Sequence, residues 1–164
     1  MRIFITILFS LFLLKSQAQD KAKNMAEARA KMQALMSKMQ QNPSKTEGKI
    51  TYTVNGKTYS VTNGISTVII NGKIGDISDS AHTVSIGDGN VHAFKVGQSY
   101  DCKGLTVMVD GVQYARRSKD NIATITFYNG KSMKGSFSGT VYNEQSKKTL
   151  PVSGTFELSN ITKI

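Results

Sequence analysis

The strongest basic cluster of the sequence is the run Arg116-Arg117-Ser118-Lys119. Guanidinium and ammonium groups that lie together attract carboxylates, sulfates and phosphates, and arginine can hold such an anion through two parallel hydrogen bonds. The run falls between predicted strands, so we expect it to form a loop. We predict that Arg116, Arg117 and Lys119 bind an anionic ligand. A loop that only keeps the protein soluble would have the same composition, so the sequence leaves both interpretations open.

The residues best suited to bind zinc are His82, His92 and Cys102. A zinc site needs three or four such ligands that converge on one point. If Asp88-Gly89 forms a two-residue turn, Ser85 faces His92, and His82 lies on the other face of the strand pair. Side chains on opposite faces cannot share an ion, so we predict no metal site, although a three-residue loop would reverse these faces.

Four residues suited to calcium, Asp76, Asp79, Asp88 and Asn90, lie close together in the sequence. They lack the alternating acids and the central glycine of a calcium-binding helix–loop–helix motif. Aspartate and asparagine also stabilise turns by hydrogen bonding to their own backbone. We interpret these residues as turn formers and predict no cofactor.

No catalytic motif is recognisable. The segment Gly135-Ser-Phe-Ser-Gly139 has phenylalanine where a nucleophile elbow needs its serine. No glycine-rich phosphate loop follows a strand and opens a helix. We therefore predict a protein that is not an enzyme. A hydrolase whose site is assembled from distant residues, with His82 or His92 beside a serine or an acid, stays open as an alternative.

The elements that position these residues are predicted by six Asn-Gly and Asp-Gly pairs, which favour tight hairpin turns. The pairs occupy 55–56, 63–64, 71–72, 88–89, 110–111 and 129–130. Around the first pair, a two-residue turn places Val54 opposite Lys57, Tyr52 opposite Tyr59 and Ile50 opposite Val61. The apolar residues then share one face, so turn and hydrophobic pattern agree.

The rest of the chain also alternates between apolar and polar residues. Further strands are predicted at 65–70, 73–77, 81–86, 91–96, 105–109, 112–115, 122–128, 133–142 and 150–158. Pro151 predicts an edge or a strand start for the last of these. The aromatic residues of the last third, Phe127, Tyr128, Phe137, Tyr142 and Phe156, are expected in the core. The fold class is all-β, an antiparallel β-sandwich or open barrel of about ten short strands.

Residues 19–42 differ, because they lack valine, isoleucine, threonine and glycine and are rich in strong helix formers. We predict a basic, Met-rich amphipathic helix there, with Asp20 as cap and Asn42-Pro43 as stop. Its apolar stripe supplies the predicted partner-binding residues Met25, Met32, Leu35, Met36 and Met39. Packing on the β-domain, self-association and contact with a membrane surface or partner protein all stay open.

Residues 1–18 resemble a secretory signal peptide, with Arg2 before an apolar run and Ser16-Gln17-Ala18 at the expected cleavage point. We predict cleavage after Ala18 and a secreted or periplasmic location, with no transmembrane helix in the mature chain. Removal of Arg2 and Lys15 lowers the formal charge from +10 to +8. A basic protein outside the cytoplasm favours acidic glycan or lipid headgroups over intracellular nucleic acid as a partner.

The last third of the sequence carries a resemblance. The segments Gly135-Ser-Phe-Ser-Gly-Thr-Val-Tyr142 and Pro151-Val-Ser-Gly-Thr-Phe-Glu-Leu158 resemble the C-terminal strands of small secreted or lipoprotein β-sandwich proteins of Gram-negative bacteria. The chain lacks the lipidation cysteine of the lipoprotein members. The resemblance implies a β-sandwich and an envelope location, and it implies no catalytic residues.

The sequence thus predicts four parts: a signal peptide at 1–18, a helix at 19–42, a linker at 43–48 and a β-sandwich domain at 49–164. The leading hypothesis is a secreted or periplasmic, non-enzymatic binding module for an anionic surface component. The alternatives are a structural or assembly protein of the cell envelope that acts through its helix, and the hydrolase described above.

Overall fold

The structure is a computed structural model that describes residues 46–164 and, before them, residues 25–27, 29–30 and 33, which are helical. The chain divides after Pro43 into two units. The second unit, Ser44–Ile164, contains the strands described below. The predicted signal peptide and most of the predicted helix and linker lie outside the described residues.

The first hairpin has the predicted register. Strand β1 (Glu47–Val54) and strand β2 (Lys57–Val61) pair so that Tyr52 faces Tyr59. Their two rings stack with centroids 5.1 Å apart. The predicted domain boundary at residue 49 was two residues late, because β1 already begins at Glu47 and pairs there with the last long strand.

Thirteen further strands follow in the described part of the chain. They are β3 (Ile65–Ser66), β4 (Val68–Ile70), β5 (Lys73–Ile74), β6 (Ile77–Asp79), β7 (Val84–Ile86), β8 (His92–Ala93), β9 (Ser99–Asp101), β10 (Gly104–Val109), β11 (Val112–Arg117), β12 (Ile122–Tyr128), β13 (Met133–Asn143), β14 (Lys148–Ser159) and β15 (Thr162–Lys163). The all-β prediction is confirmed.

The strands form three open sheets. The largest has the order β2-β1-β14-β13-β12-β9, and all its neighbours are antiparallel. A five-stranded sheet has the order β11-β10-β7-β6-β3, and a four-stranded sheet has the order β15-β4-β5-β8 with β15 and β4 parallel. The six- and five-stranded sheets pack in a sandwich-like arrangement, and the Tyr52 hydroxyl of β1 donates to the Met108 carbonyl of β10 over 2.6 Å.

Three of the six Gly-containing pairs form the predicted hairpin turns. Asn55-Gly56, Asn71-Gly72 and Asp110-Gly111 have positive φ at both residues, as a type I′ turn requires. At the other three pairs only the glycine has positive φ. Asn129-Gly130 lies in a four-residue hairpin loop between β12 and β13. Asn63-Gly64 and Asp88-Gly89 connect strands of different sheets, so they are not hairpin turns.

The predicted hairpin around Asp88-Gly89 was therefore wrong. Strand β7 pairs with β6 and β10, whereas β8 pairs with β5 in another sheet. His82 lies in the turn after β6 with φ of 53°, rather than in a strand opposite His92. The long predicted strand at 65–70 likewise divides into β3 and β4, which join different sheets.

Two other details differ from the sequence prediction. Phe127 is 43% exposed rather than in the core, because a register shift between Ile125 and Phe127 interrupts the alternation of faces. Pro151 lies in a central strand, but it pairs with Thr140 beyond the point where β1 ends opposite Val152. Its missing N–H group therefore removes no bond to β1.

The inner face of the six-stranded sheet is held by two reciprocal glycine–phenylalanine pairs. Gly135 lies opposite Phe156, and Phe137 lies opposite Gly154. A Cβ atom on either glycine would collide with the facing ring. Each ring thus fills the space that its glycine leaves, which accounts for two glycines and both phenylalanines of the C-terminal motif, whereas Gly139 leaves room for the Asn121 side chain.

Candidate functional site

The outer face of the six-stranded sheet carries a continuous row of hydroxyl side chains. Cross-strand pairing aligns one residue from each strand, in the order Ser60, Thr51, Thr155, Ser136, Thr124 and Ser99. We call this the first row. All six residues are serine or threonine, although the row draws on segments from residue 51 to residue 155.

A second row lies two residues along each strand. It consists of Thr58, Thr53, Ser153, Ser138, Ile122 and Asp101. Ten of the twelve positions in the two rows are therefore hydroxyl residues, and Asp101 is the single charged one. We call the two rows together the hydroxyl face.

Charged side chains lie directly beyond the first row. The next residues along β1, β14 and β13 are Lys49, Glu157 and Lys134, and Lys134 pairs with Glu157 over 3.2 Å. The same three strands thus carry charged side chains on this outer face two residues beyond the first row. The uncharged character of the hydroxyl face is a local property and does not follow from the overall composition.

Several of these hydroxyls have no partner within the described residues. Thr53 bonds to Thr58 over 3.1 Å and Ser99 bonds to Thr124 over 2.7 Å. The other six hydroxyls make no hydrogen bond to the described protein. Five of these six line a shallow recess of about 550 Å³ that Ile122 also borders, namely Thr51, Ser136, Ser138, Ser153 and Thr155.

This arrangement is suited to binding an uncharged polar ligand. Each hydroxyl can donate one hydrogen bond and accept two, so the recess offers donors and acceptors without charge. The threonine methyl groups and the 38% exposed Ile122 add apolar contacts between the hydroxyls. Sugar rings also alternate hydroxyl groups with C–H groups.

The predicted basic cluster is divided by the structure. Arg116 and Arg117 end strand β11 instead of forming a loop, and adjacent strand residues point to opposite faces. Arg116 donates to the Thr140 hydroxyl over 3.2 Å, and Arg117 donates to the Asp88 carbonyl over 2.9 Å. Lys119 lies exposed in the turn after β11. Arg116 and Arg117 nevertheless border one recess, which Lys119 does not line, so the structure brings together two of the three predicted residues.

Neither guanidinium group forms an ion pair with a carboxylate within the described residues, but the charge of Arg117 acts to lower the pKa of Asp76. The recess that Arg116 and Arg117 border has a volume of about 440 Å³, and Gly87, Asp88, Gly104 and Thr106 also line it.

The polar cluster around Asp88 holds a loop in place. The Asp88 carboxylate bonds to His92 Nε2 over 2.9 Å, and the Gly89 N–H donates to Asp76 over 3.1 Å. Burial acts to raise the pKa of Asp88, but hydrogen bonds from His92 and Asn90 outweigh it and lower the pKa below its usual range. Burial raises the pKa of Asp76, and the Gly89 bond opposes the rise. These contacts replace the predicted hairpin pairing of His92.

Cys102 is a buried thiol. It is 1% exposed and donates to the Asn121 carbonyl over 3.2 Å. Burial raises its pKa to about 12, so the thiolate form is strongly disfavoured at neutral pH. Neither a disulfide between chains nor a reactive thiol is compatible with this position in the folded domain.

The described residues contain neither a cluster of metal ligands nor a membrane-spanning helix. No group of three or more His, Cys, Asp or Glu side chains in this part of the chain is placed to hold a metal ion. Likewise, none of the described helical residues belongs to a helix that is long and apolar enough to cross a membrane.

Of the predicted partner-binding residues, the structure describes Met25, which is helical and 57% exposed. Met32, Leu35, Met36 and Met39 lie outside the described residues. Their part in binding a partner stays a prediction.

The hydroxyl face was missed by sequence reasoning, although a signal is present. Four segments alternate hydroxyl residues with apolar or glycine residues: Thr51-Tyr-Thr53, Thr58-Tyr-Ser60, Ser136-Phe-Ser138 and Ser153-Gly-Thr155. Each is an ordinary solvent-facing strand pattern by itself. The pattern becomes a surface when the registers of six strands are known.

Comparison with known protein families finds no family model that matches the chain, and comparison with curated proteins finds no match.

Proposed function

We propose that the β-domain is a non-enzymatic binding module that recognises a glycan through the hydroxyl face. One observation carries the proposal: five hydroxyl groups that bond to no other described residue line a single recess on the outer face of the sheet. A ligand that carries many hydroxyl groups can exchange its bonds to water for bonds to these residues. The predicted signal peptide supports a secreted or periplasmic location, where polysaccharides are abundant.

Rigidity also favours this surface. The recess lies over β1, β14 and β13, which are the central strands of the largest sheet and pair along long registers. A polar surface on such strands is held in place before the ligand arrives, so binding orders few protein groups. Binding surfaces formed by loops are less often ordered before the ligand arrives.

Retention on insoluble polysaccharides tests the proposal. Cellulose, chitin, mannan and a β-1,3-glucan serve as neutral probes, and alginate and pectin serve as acidic probes. The double variant Ser136→Ala/Thr155→Val removes two unpartnered hydroxyls from the centre of the first row. We expect it to weaken binding to the retained glycan about tenfold or more, as the loss of two net hydrogen bonds implies.

The control variant is Thr149→Val. It replaces a threonine with valine on the same strand as Thr155, but outside the two rows. It should bind like the unmodified protein. Equal weakening by Thr149→Val, or retention on none of these glycans, would overturn the proposed function.

A second candidate is an acidic glycan or lipid headgroup that contacts Arg116, Arg117 and Lys119. The observation in its favour is that neither guanidinium pairs with a carboxylate in the described residues. Neutralising the three cations to glutamine should lower affinity for alginate or anionic vesicles and flatten its salt dependence. The matched control neutralises three exposed lysines elsewhere, Lys73, Lys95 and Lys148. Equal losses in both variants would indicate net charge rather than a site.

A further inference from the structure

We infer that the ligand of the hydroxyl face is a linear, uncharged polysaccharide that lies across the strands along the first row. This inference rests on the proposed function and specifies its ligand. It follows from three properties of the surface: the continuity of the first row, the spacing of its members and the near absence of charge.

The first row crosses all six strands without interruption. Neighbouring strands lie about 4.7–4.9 Å apart, so the six hydroxyls extend over about 24 Å. A pyranose ring in an extended chain is comparable in length to one such interval. A linear glycan can therefore place successive sugars over successive strands, and a mono- or disaccharide would use a fraction of the row.

The second row limits the width of the ligand. It lies about 6.6–6.8 Å from the first, since two residues separate the rows. One sugar ring can contact hydroxyls of both rows, for example Thr155 and Ser153 of β14. Charged or bulky residues lie outside the hydroxyl face, with Glu157 on one side and Pro151 on the other along the same strand. The width of the hydroxyl face thus matches the width of a single polysaccharide chain.

Charge complementarity selects the class of polysaccharide. A protein with a formal charge of +10 has 21 lysine and arginine residues, yet none of them lies in either row. The single charge in the hydroxyl face is the carboxylate of Asp101, at the end of the second row, where it accepts the Lys103 N–H over 2.8 Å. An anionic polymer would find no cation on the hydroxyl face to pair with its charges, whereas a neutral polymer has no charges that need a partner.

A length series of oligosaccharides tests the inference. The probes are cello-, chito-, manno- and laminari-oligosaccharides from about two to about six sugars, the span of one row. Calorimetry should show affinity rising about two- to tenfold for each added sugar, the range that one net hydrogen bond gives, and levelling off near six.

Two end variants locate the chain on the surface. Ser60→Ala and Ser99→Ala remove hydroxyls from the opposite edge strands of the row. Each should weaken binding of the longest oligosaccharide and leave that of the disaccharide unchanged. Thermal unfolding of each variant checks that the fold is intact, and both positions are exposed.

The outcomes separate the inference from the proposed function. Disaccharides that bind as tightly as longer chains, with the central variants still defective, would overturn the linear-chain inference and keep the glycan-binding function. Binding of acidic glycans alone would overturn the uncharged ligand class. If no glycan binds, both the inference and the function fail.

Discussion

The two faces of the six-stranded sheet share the same strands and registers but differ in how completely their side chains are used. On the inner face, Phe137 and Phe156 are at most 3% exposed and fill the spaces above Gly154 and Gly135. On the outer face, hydroxyls in the same strands line a recess and make no hydrogen bond to the part of the protein that the structure describes. The inner face holds the fold, whereas the outer face leaves hydrogen-bonding capacity unused.

The side chains that stabilise this sheet are therefore distinct from those proposed to bind a ligand. Successive residues of a strand point to opposite faces, so each strand contributes alternately to the core and to the surface. Substitutions one residue apart should therefore have different effects, and the predictions below use that difference.

The largest effect is expected at Phe156. Replacing it with alanine removes a buried ring above Gly135 and should lower the free energy of unfolding by about 3–5 kcal/mol. Its neighbour Thr155→Ala, on the other face, should cost less than about 1 kcal/mol. Chemical denaturation of both variants measures this difference, and similar costs would remove the distinction between the faces.

Asn121 should have the next largest effect. It is 0% exposed, its amide donates to the Lys103 and Arg116 carbonyls, and its oxygen accepts the Thr140 N–H. Asn121→Ala leaves these backbone groups unpaired and should destabilise the domain by about 1–3 kcal/mol.

The control for this prediction is Asn63→Ala, at an exposed asparagine that precedes a glycine turn. Denaturation should show little change there. A loss at Asn121 no greater than the loss at Asn63 would show that the buried amide contributes nothing to holding β11 against β13.

Removing unpartnered hydroxyls should have a much smaller effect. The double variant Thr51→Val/Thr155→Val keeps both side-chain shapes and deletes two hydroxyls that bond to no described protein group. We expect the free energy of unfolding to change by less than about 0.5 kcal/mol. A loss of more than that in a denaturation experiment would show that these hydroxyls stabilise the fold.

The smallest effect concerns an exposed pair beside the first turn. Lys57 bonds to the Asp110 carboxylate and holds its pKa below the usual range, with a further bond from Tyr59. The pKa of Asp110 is lower in the folded state than in the unfolded state. The pair therefore stabilises the fold at pH values above the unfolded-state pKa, and this stabilisation is lost as the pH falls through the folded-state pKa. Both side chains are more than half exposed, so the contribution is small.

An NMR titration of the Asp110 carboxyl carbon measures this shift directly. Lys57→Met should raise the pKa of Asp110 toward its ordinary value, while the Tyr59 bond keeps part of the depression. A pKa that stays unchanged in the variant would contradict the role of Lys57.

The fold could be predicted from sequence where turn and pattern agree locally. Asn55-Gly56 and Asp110-Gly111 each have positive φ at both residues; the first hairpin has the predicted register, and the second joins the two strands predicted to flank its turn. Asp88-Gly89 has the same kind of sequence but joins strands of different sheets. Pairing of β7 with β10 and of β8 with β5 depends on distant residues, which a local pattern does not contain.

The candidate site shows the same limit more strongly. The sequence predicts an anion site at Arg116, Arg117 and Lys119 because they are nearly adjacent, yet the two arginines bond to different strands and loops and Lys119 lies outside the recess that they border. The first row of the hydroxyl face joins residues from 51 to 155 through five pairings between strands. Its members are unremarkable serines and threonines until those pairings align them, so no local motif could have identified the surface.

The position of Arg116 and Arg117 on β11 has a consequence for solubility. Strand β11 is an edge of the five-stranded sheet, where the Gln113 carbonyl already accepts a hydrogen bond from the Asn143 side chain, so the edge is only partly open to pairing with another chain. Charged side chains on an edge strand oppose such pairing. The oligomeric state of the neutralised variant should therefore be measured beside its binding.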